Sequence, residues 1–207
     1  MPISQERKHP HLATRIRLIY SKRGGACFVP HIALAQMFSR SASRAGLTLS
    51  MTQGFTPRAK ISFGPELPAG VVALNEPVDI FIEDVPNDIA RRMNDSLPEG
   101  FAISQTIFPP EDSPSLGKIC KAAEYLIRNT QGINLTPHAE EFYAESVIMS
   151  ENLDGWTRII ISDPAQNPIG GFIRRMKEGG VIAGWHDVNA VRVAVGGYDG
   201  VKRSVGL

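Results

Sequence analysis

Charged and apolar residues alternate from Arg15 to Tyr20, which puts Ile16, Leu18 and Tyr20 on one face of a strand and Arg15 and Arg17 on the other. Lys22 and Arg23 then enter a turn over 21–25 that contains two glycines. From 30 to 45 the period becomes helical. Leu34, Phe38, Ala42 and Ala45 form one stripe with Ser41 at its edge, and Gln36, Ser39, Arg40, Ser43 and Arg44 lie opposite. Pro30 suits the first helical turn, where its missing N–H leaves nothing unpaired, and Gly46 suits the stop. His31 shares the apolar stripe with Phe38.

Strands are expected at 47–52, 60–64 and 77–83, the last from its β-branched alternation. Ile89, Met93 and Leu97 predict a second helix over 87–97 with Asn87 as its cap, and 101–108 reads as a further strand. The order β-α-β-β-α-β over 15–108 is that of a split ferredoxin-like unit. A proline-rich stretch beginning Pro109-Pro110 marks a linker over 109–121. Beyond it a fainter pattern follows: strand 123–128, helix 137–146, strand 156–162, helix 168–177 and strand 188–195. The expected fold is therefore α+β, with two ferredoxin-like units in tandem. The second unit is degenerate and spans 122–196. A flexible arm over 1–14 and a loose tail over 197–207 flank them.

Composition narrows the classes. No apolar run approaches the roughly 18 residues of a membrane-spanning helix, and the polar start of the chain lacks a signal-peptide pattern, so a cytoplasmic protein with no membrane partner is expected. Cys27 and Cys120 make neither a disulfide framework nor a metal-ligand spacing. His9 and His11 flank Pro10 in the arm, where disorder is the simpler reading than metal binding. The overall charge of +1 conceals an asymmetry. Residues 1–64 hold ten Lys or Arg against one acid, a net +9, and the rest hold twelve against twenty, a net −8. Such a basic third points to an anionic partner, or to internal pairing with the acidic remainder.

Several chemistries find no local motif: there is no phosphate-cradling glycine loop, no dinucleotide fingerprint, no cysteine triplet and no Ser/His/Asp signature. No cofactor is expected. His31, in the first helical turn, is kept neutral by the positive helix end, and a neutral imidazole can abstract a proton from a ribose hydroxyl. The same ring can instead bond a backbone carbonyl and fill the core. Arg40 and Arg44, one turn apart, can grip successive phosphates or form a solvated face. In Gln53-Gly54-Phe55-Thr56-Pro57-Arg58, Phe55 can stack on an unpaired base while Arg58 holds the backbone, or it can tuck beneath the loop. Arg15, Arg17, Lys22, Arg23 and Lys60 complete the candidate anion-binding set. Five phosphate contacts would give a log–log salt slope of roughly −3.5 to −4.5.

These residues resemble the bacterial radical-SAM-linked protein family, whose members are encoded beside, or fused to, a radical S-adenosylmethionine enzyme. The resemblance is carried by Arg15-Ile16-Arg17-Leu18, Tyr20-Ser21-Lys22-Arg23-Gly24, Phe28, His31, Phe38, Arg40 and Arg44-Ala45-Gly46-Leu47. It continues in Gln53-Gly54-Phe55, Pro57, Ser62-Phe63-Gly64-Pro65, Leu67-Pro68, Gly70-Val71, Glu76 and Asp79-Ile80, with Ala123-Glu124-Tyr125 as a further point. The chain departs from the family at Pro30 and Ala33, where Ser and Asp are usual. It departs again at Thr56, Arg58 and Lys60, where Asn, His and Arg are usual. The resemblance implies an accessory role to a radical SAM enzyme encoded nearby, serving RNA (tRNA or rRNA) or another macromolecule. Two rivals stand beside this accessory reading. One is a metal-independent endoribonuclease of the RAMP-like fold, using His31 as base and Arg58 or Lys60 to stabilise charge. The other is a pure protein–protein adaptor docking through the acidic half.

Overall fold

The computed structural model describes residues 13–207. The paired histidines of the arm, His9 and His11, lie outside the described residues. The described chain forms a mixed sheet of nine strands together with five α-helices.

Strand β1 (Thr14–Lys22) takes the alternation at face value: Ile16, Leu18 and Tyr20 are buried beneath helix α1 (His31–Arg44), whose stripe Leu34, Phe38 and Ala42 meets them. Pro30 stands just outside the helix as its N-cap with extended ψ, and Gly46 takes φ +71°, the conformation that ends a helix at low steric cost. A short strand β2 (Ile61–Phe63) and a long one, β3 (Val72–Ile82), follow. Helix α2 (Ile89–Ser96) is capped at Asp88 rather than Asn87, and the Asp88 carboxylate accepts from Arg91 and, at 2.6 Å, from Arg92. Strand β4 (Phe101–Ile107) closes this half at its outer edge.

The second half contains a short helix α3 (Leu116–Ile119), β5 (Ala122–Asn129), α4 (Thr136–Tyr143), β6 (Val147–Leu153), β7 (Trp156–Ser162) and α5 (Ile169–Glu178). It ends in β8 (Val188–Asp199) and β9 (Ser204–Gly206). The sheet order is β4-β1-β3-β8-β5-β7-β6, with β2 also on β3 and β9 on β8. Neighbouring strands are antiparallel except β3 and β8, which pair in parallel through Val72 with Val191 and Ala73 with Arg192. Along one flank, β3 thus pairs first with β8 and then, at Val78–Ile80, with β2. Pro77, which has no N–H to give, falls between the two ladders.

Two apolar cores lie against this sheet. One gathers β1, β3, α1 and α2; the other gathers β5, β7, α4 and α5 around Tyr125, Ile127, Ile159, Phe172 and Ile173. The second core also takes Leu67, Val71 and Ala73 from the first half and Leu116 and Cys120 from the expected linker. Each fully buried Leu, Ile or Phe adds about 1.5–3 kcal/mol, so that linker segment is held in place rather than hung between units. The expected loose tail is likewise ordered. Gly197, Tyr198 and Asp199 pair with Gly206, Val205 and Ser204, which is feasible because Gly196 has no Cβ: one there would lie 2.1 Å from the Gly206 carbonyl oxygen.

Candidate functional site

The sequence places ten residues in an anion-binding set, and the fold sorts them into three kinds. Arg17 and Lys22 are buried. The Arg17 guanidinium donates to both carboxylate oxygens of Asp79, directly opposite on β3, at 2.7 and 3.0 Å. The Lys22 ammonium donates to the Val29 carbonyl at 3.3 Å, and burial lowers its pKa, with Arg192 adding to the effect and Cys27 and Glu76 opposing it. Neither faces a ligand. The strand alternation put Arg17 on the face away from the first core, where it is buried against Asp79, and Lys22 was expected in a turn, whereas β1 runs on to Lys22 and buries it.

Arg15 and Arg44 are tied to backbone. Arg15 donates to the carbonyls of Pro110 and Ser113 at 3.1 and 2.9 Å, which fastens the 109–114 segment to β1. Arg44 donates to Ser96 O at 2.7 Å and Ser41 Oγ at 3.1 Å while staying exposed at the end of α1.

The remaining candidates, Arg23, Arg40, Gln53, Phe55, Arg58 and Lys60, are exposed. Four of these belong to one hairpin. Ser50 N–H donates to Phe81 O, Lys60 N–H to Ser50 O and Thr52 N–H to Arg58 O, each at 2.8 Å, and the Thr52 hydroxyl accepts from Arg58 N–H at 3.1 Å. Met51 bridges Ala59, and Leu49 bridges Ile82 at the C-terminal end of β3. The hairpin therefore extends beyond the end of the sheet. At its tip Gly54 takes φ +131°, and the Phe55 ring is wholly in solvent, with relative exposure 111%. The reading in which Phe55 tucks under the loop is overturned. At the base, the Lys60 ammonium sits 4.0 Å from the centre of the Phe81 ring, a cation–π contact that leaves it accessible.

His31 is the first residue of α1, half-buried, with its ring edge-on to Phe63 at 5.4 Å between centroids. Burial lowers its pKa, with Glu66 opposing, so the imidazole is neutral at pH 7. No carboxylate forms an ion pair with it among the described residues. Five steps of near-extended chain separate Arg58 from Phe63, about 16 Å at 3.3 Å per residue. Among the described residues no hydrogen bond links His31 to Arg58 or Lys60.

The fold also builds a polar centre that sequence reasoning missed. Arg192 of β8 is fully buried. It donates through Nε to Glu76 of β3 at 2.7 Å and through its terminal nitrogens to the other Glu76 oxygen and to the carbonyls of Pro65 and Glu66 at 2.9 and 3.1 Å. Burial pushes the Tyr125 hydroxyl above its ordinary pKa, with Arg192 opposing, and it pushes the Tyr20 hydroxyl well above its own, with Glu76 adding to the rise. The signal was there: a lone arginine inside Val191-Arg192-Val193 and a lone acid inside Asn75-Glu76-Pro77-Val78. A charge within an apolar strand needs a buried partner. Nothing in the sequence said which one.

A family model described as an uncharacterised protein conserved in bacteria (DUF2344) matches residues 15–157, well over half of the 207. The chain belongs to that family. The match takes in the hairpin, α1 and Glu76, and it includes residues 15–83, which carry the resemblance described above. Arg192 lies beyond the matched segment. No curated protein matches the chain. Among the described residues no helix is long and apolar enough to cross a membrane, and no group of three or more His, Cys, Asp or Glu side chains could hold a metal ion.

Proposed function

We propose that the protein is a non-catalytic accessory to a radical SAM enzyme that holds RNA, or a similar polyanion, on the protruding hairpin and the adjoining end of α1. The observation that carries this is the wholly exposed Phe55 ring at the hairpin tip, on the same hairpin as the exposed cations Arg58 and Lys60. An aromatic that stacks on a base beside cations that meet phosphate is the general recipe for unpaired RNA. Leu47 N–H bonds Ala42 O at the end of α1, and the chain then runs directly into the hairpin, so Arg40 and Arg44 extend the basic surface. Of the basic residues described between 13 and 64, Arg17 alone forms an ion pair, which supports outward use of the exposed Arg23, Arg40, Arg58 and Lys60. The partner enzyme is inferred from the family resemblance. We also read each half as a ferredoxin-like unit. Supporting this, both follow β-α-β-β-α-β, with sheet orders β4-β1-β3-β2 and β8-β5-β7-β6.

The test is affinity for a mixed tRNA pool as a function of salt. With Arg40, Arg44, Arg58 and Lys60 as the four contacts, the log–log slope is roughly −3, shallower than the value for five contacts. Binding that is salt-independent, or unchanged by Arg58→Ala with Lys60→Ala, removes the proposal.

A further inference from the structure

A cleft of about 610 Å³ opens between the loop of Glu66 and Pro68 and helix α5, with Trp185 completing its lining. Its size falls within the roughly 300–1,000 Å³ of small-molecule sites. Gly170, Arg174 and Lys177 recur at i, i+4 and i+7, so one face of α5 looks into the cleft while Ile169, Phe172, Ile173 and Met176 turn into the core. Gly170 lets the opposite wall come close: a Cβ there would lie 3.3 Å from Pro68 Cγ. Arg174 and Lys177 form no ion pair and no side-chain hydrogen bond among the described residues. Trp185 keeps 40% of its surface in water, a large ring left partly uncovered at the rim. Glu66 supplies one acid, and its backbone carbonyl is fixed by Arg192.

We propose that this cleft binds a small molecule of mononucleotide size. A flat aromatic ring would lie against Trp185 and the prolines, a phosphate or like anion would meet Arg174 and Lys177, and a hydroxyl or amino donor would face Glu66. The site uses none of the hairpin residues, so neither reading depends on the other.

The experiment is a titration of the full chain with AMP, GMP, CMP and UMP, and with adenosine and inorganic phosphate as the two separated halves of the ligand. Trp185 fluorescence is read in a Trp156→Phe background, and calorimetry is run on the wild type. At least one nucleoside monophosphate should saturate the signal, with adenosine and phosphate each weaker by roughly tenfold or more. Lys177→Glu, a surface change, should weaken nucleotide binding by a similar factor with Tm unchanged, and Trp185→Ala should abolish the calorimetric signal. Absence of saturation by all four nucleotides at millimolar concentration overturns the proposal. So does equal affinity for phosphate alone, or full binding by Lys177→Glu. If Lys177→Glu weakens tRNA binding while no mononucleotide titrates, the cleft belongs to RNA and the small-molecule assignment is wrong.

Discussion

Phe55 contributes no burial to the folded chain, so removing its ring should leave stability untouched. Phe55→Ala is expected to weaken binding of single-stranded RNA by about 1–3 kcal/mol in a filter-binding titration while Tm stays constant. A fall in Tm with unchanged affinity would make the ring structural. Arg192 and Glu76 behave in the opposite way. Either Arg192→Leu or Glu76→Gln strips the other group of its buried partner and should cost about 3–5 kcal/mol in urea denaturation. Replacing both with apolar residues should cost much less than the sum, because no uncompensated charge remains. His31 gives a pH dependence with a definite sign. Its pKa is lowered in the folded state, so the unfolded chain takes up the proton first as pH falls below about 6.5. That part of the stability is full above this value and is lost as pH falls through the window beneath it. His31→Asn should flatten that portion of the stability curve. At this scale the sequence was a fair guide to residue type and a poor guide to partner: it picked out Arg17 and Lys22 as cations but not their burial. Asp79 lies 62 positions from Arg17, and the Val29 carbonyl accepts from Lys22 only once the turn is built.

Elements with a strong period were legible from the chain alone. The stripes of α1 and α5, the alternation of β1 and the β-branched run of β7 mark them within a residue or two of their observed bounds. Strand β6 escaped because its pairing with β7 shifts register between Val147 and Met149, which breaks the period of two. β9 and the end of β8 escaped because Gly196-Gly197 reads as a loose end, whereas here the glycines admit a neighbouring backbone. The beginning of β3 was hidden by Asn75, Glu76 and Pro77, residues uncommon in a central strand. One substitution tests the strand end directly. Gly196→Val puts a side chain where the Gly206 carbonyl lies and should displace β9, with a loss of roughly 1–3 kcal/mol. Hydrogen exchange should then show lost protection at residues 204–206 while β5 and β7 stay protected.

For the molecule as a whole, the shared sheet decides how the halves behave. Leu67, Val71 and Ala73 belong to the second core, and β3 pairs with β8, so the second half does not complete its interior alone. Urea unfolding followed by tryptophan fluorescence and by circular dichroism should give one coincident transition; two separated transitions would mean that the halves fold independently. Arg192 adds a consequence for the order in which the structure can be made. Its partners Glu76, Glu66 and Pro65 lie 116, 126 and 127 positions earlier in the chain. A polypeptide growing from its N-terminus must therefore carry Glu76 without its counter-charge until synthesis is almost finished. Closing so long a loop is slow. A chain that stops short of residue 192 keeps the buried Glu76 carboxylate without its partner.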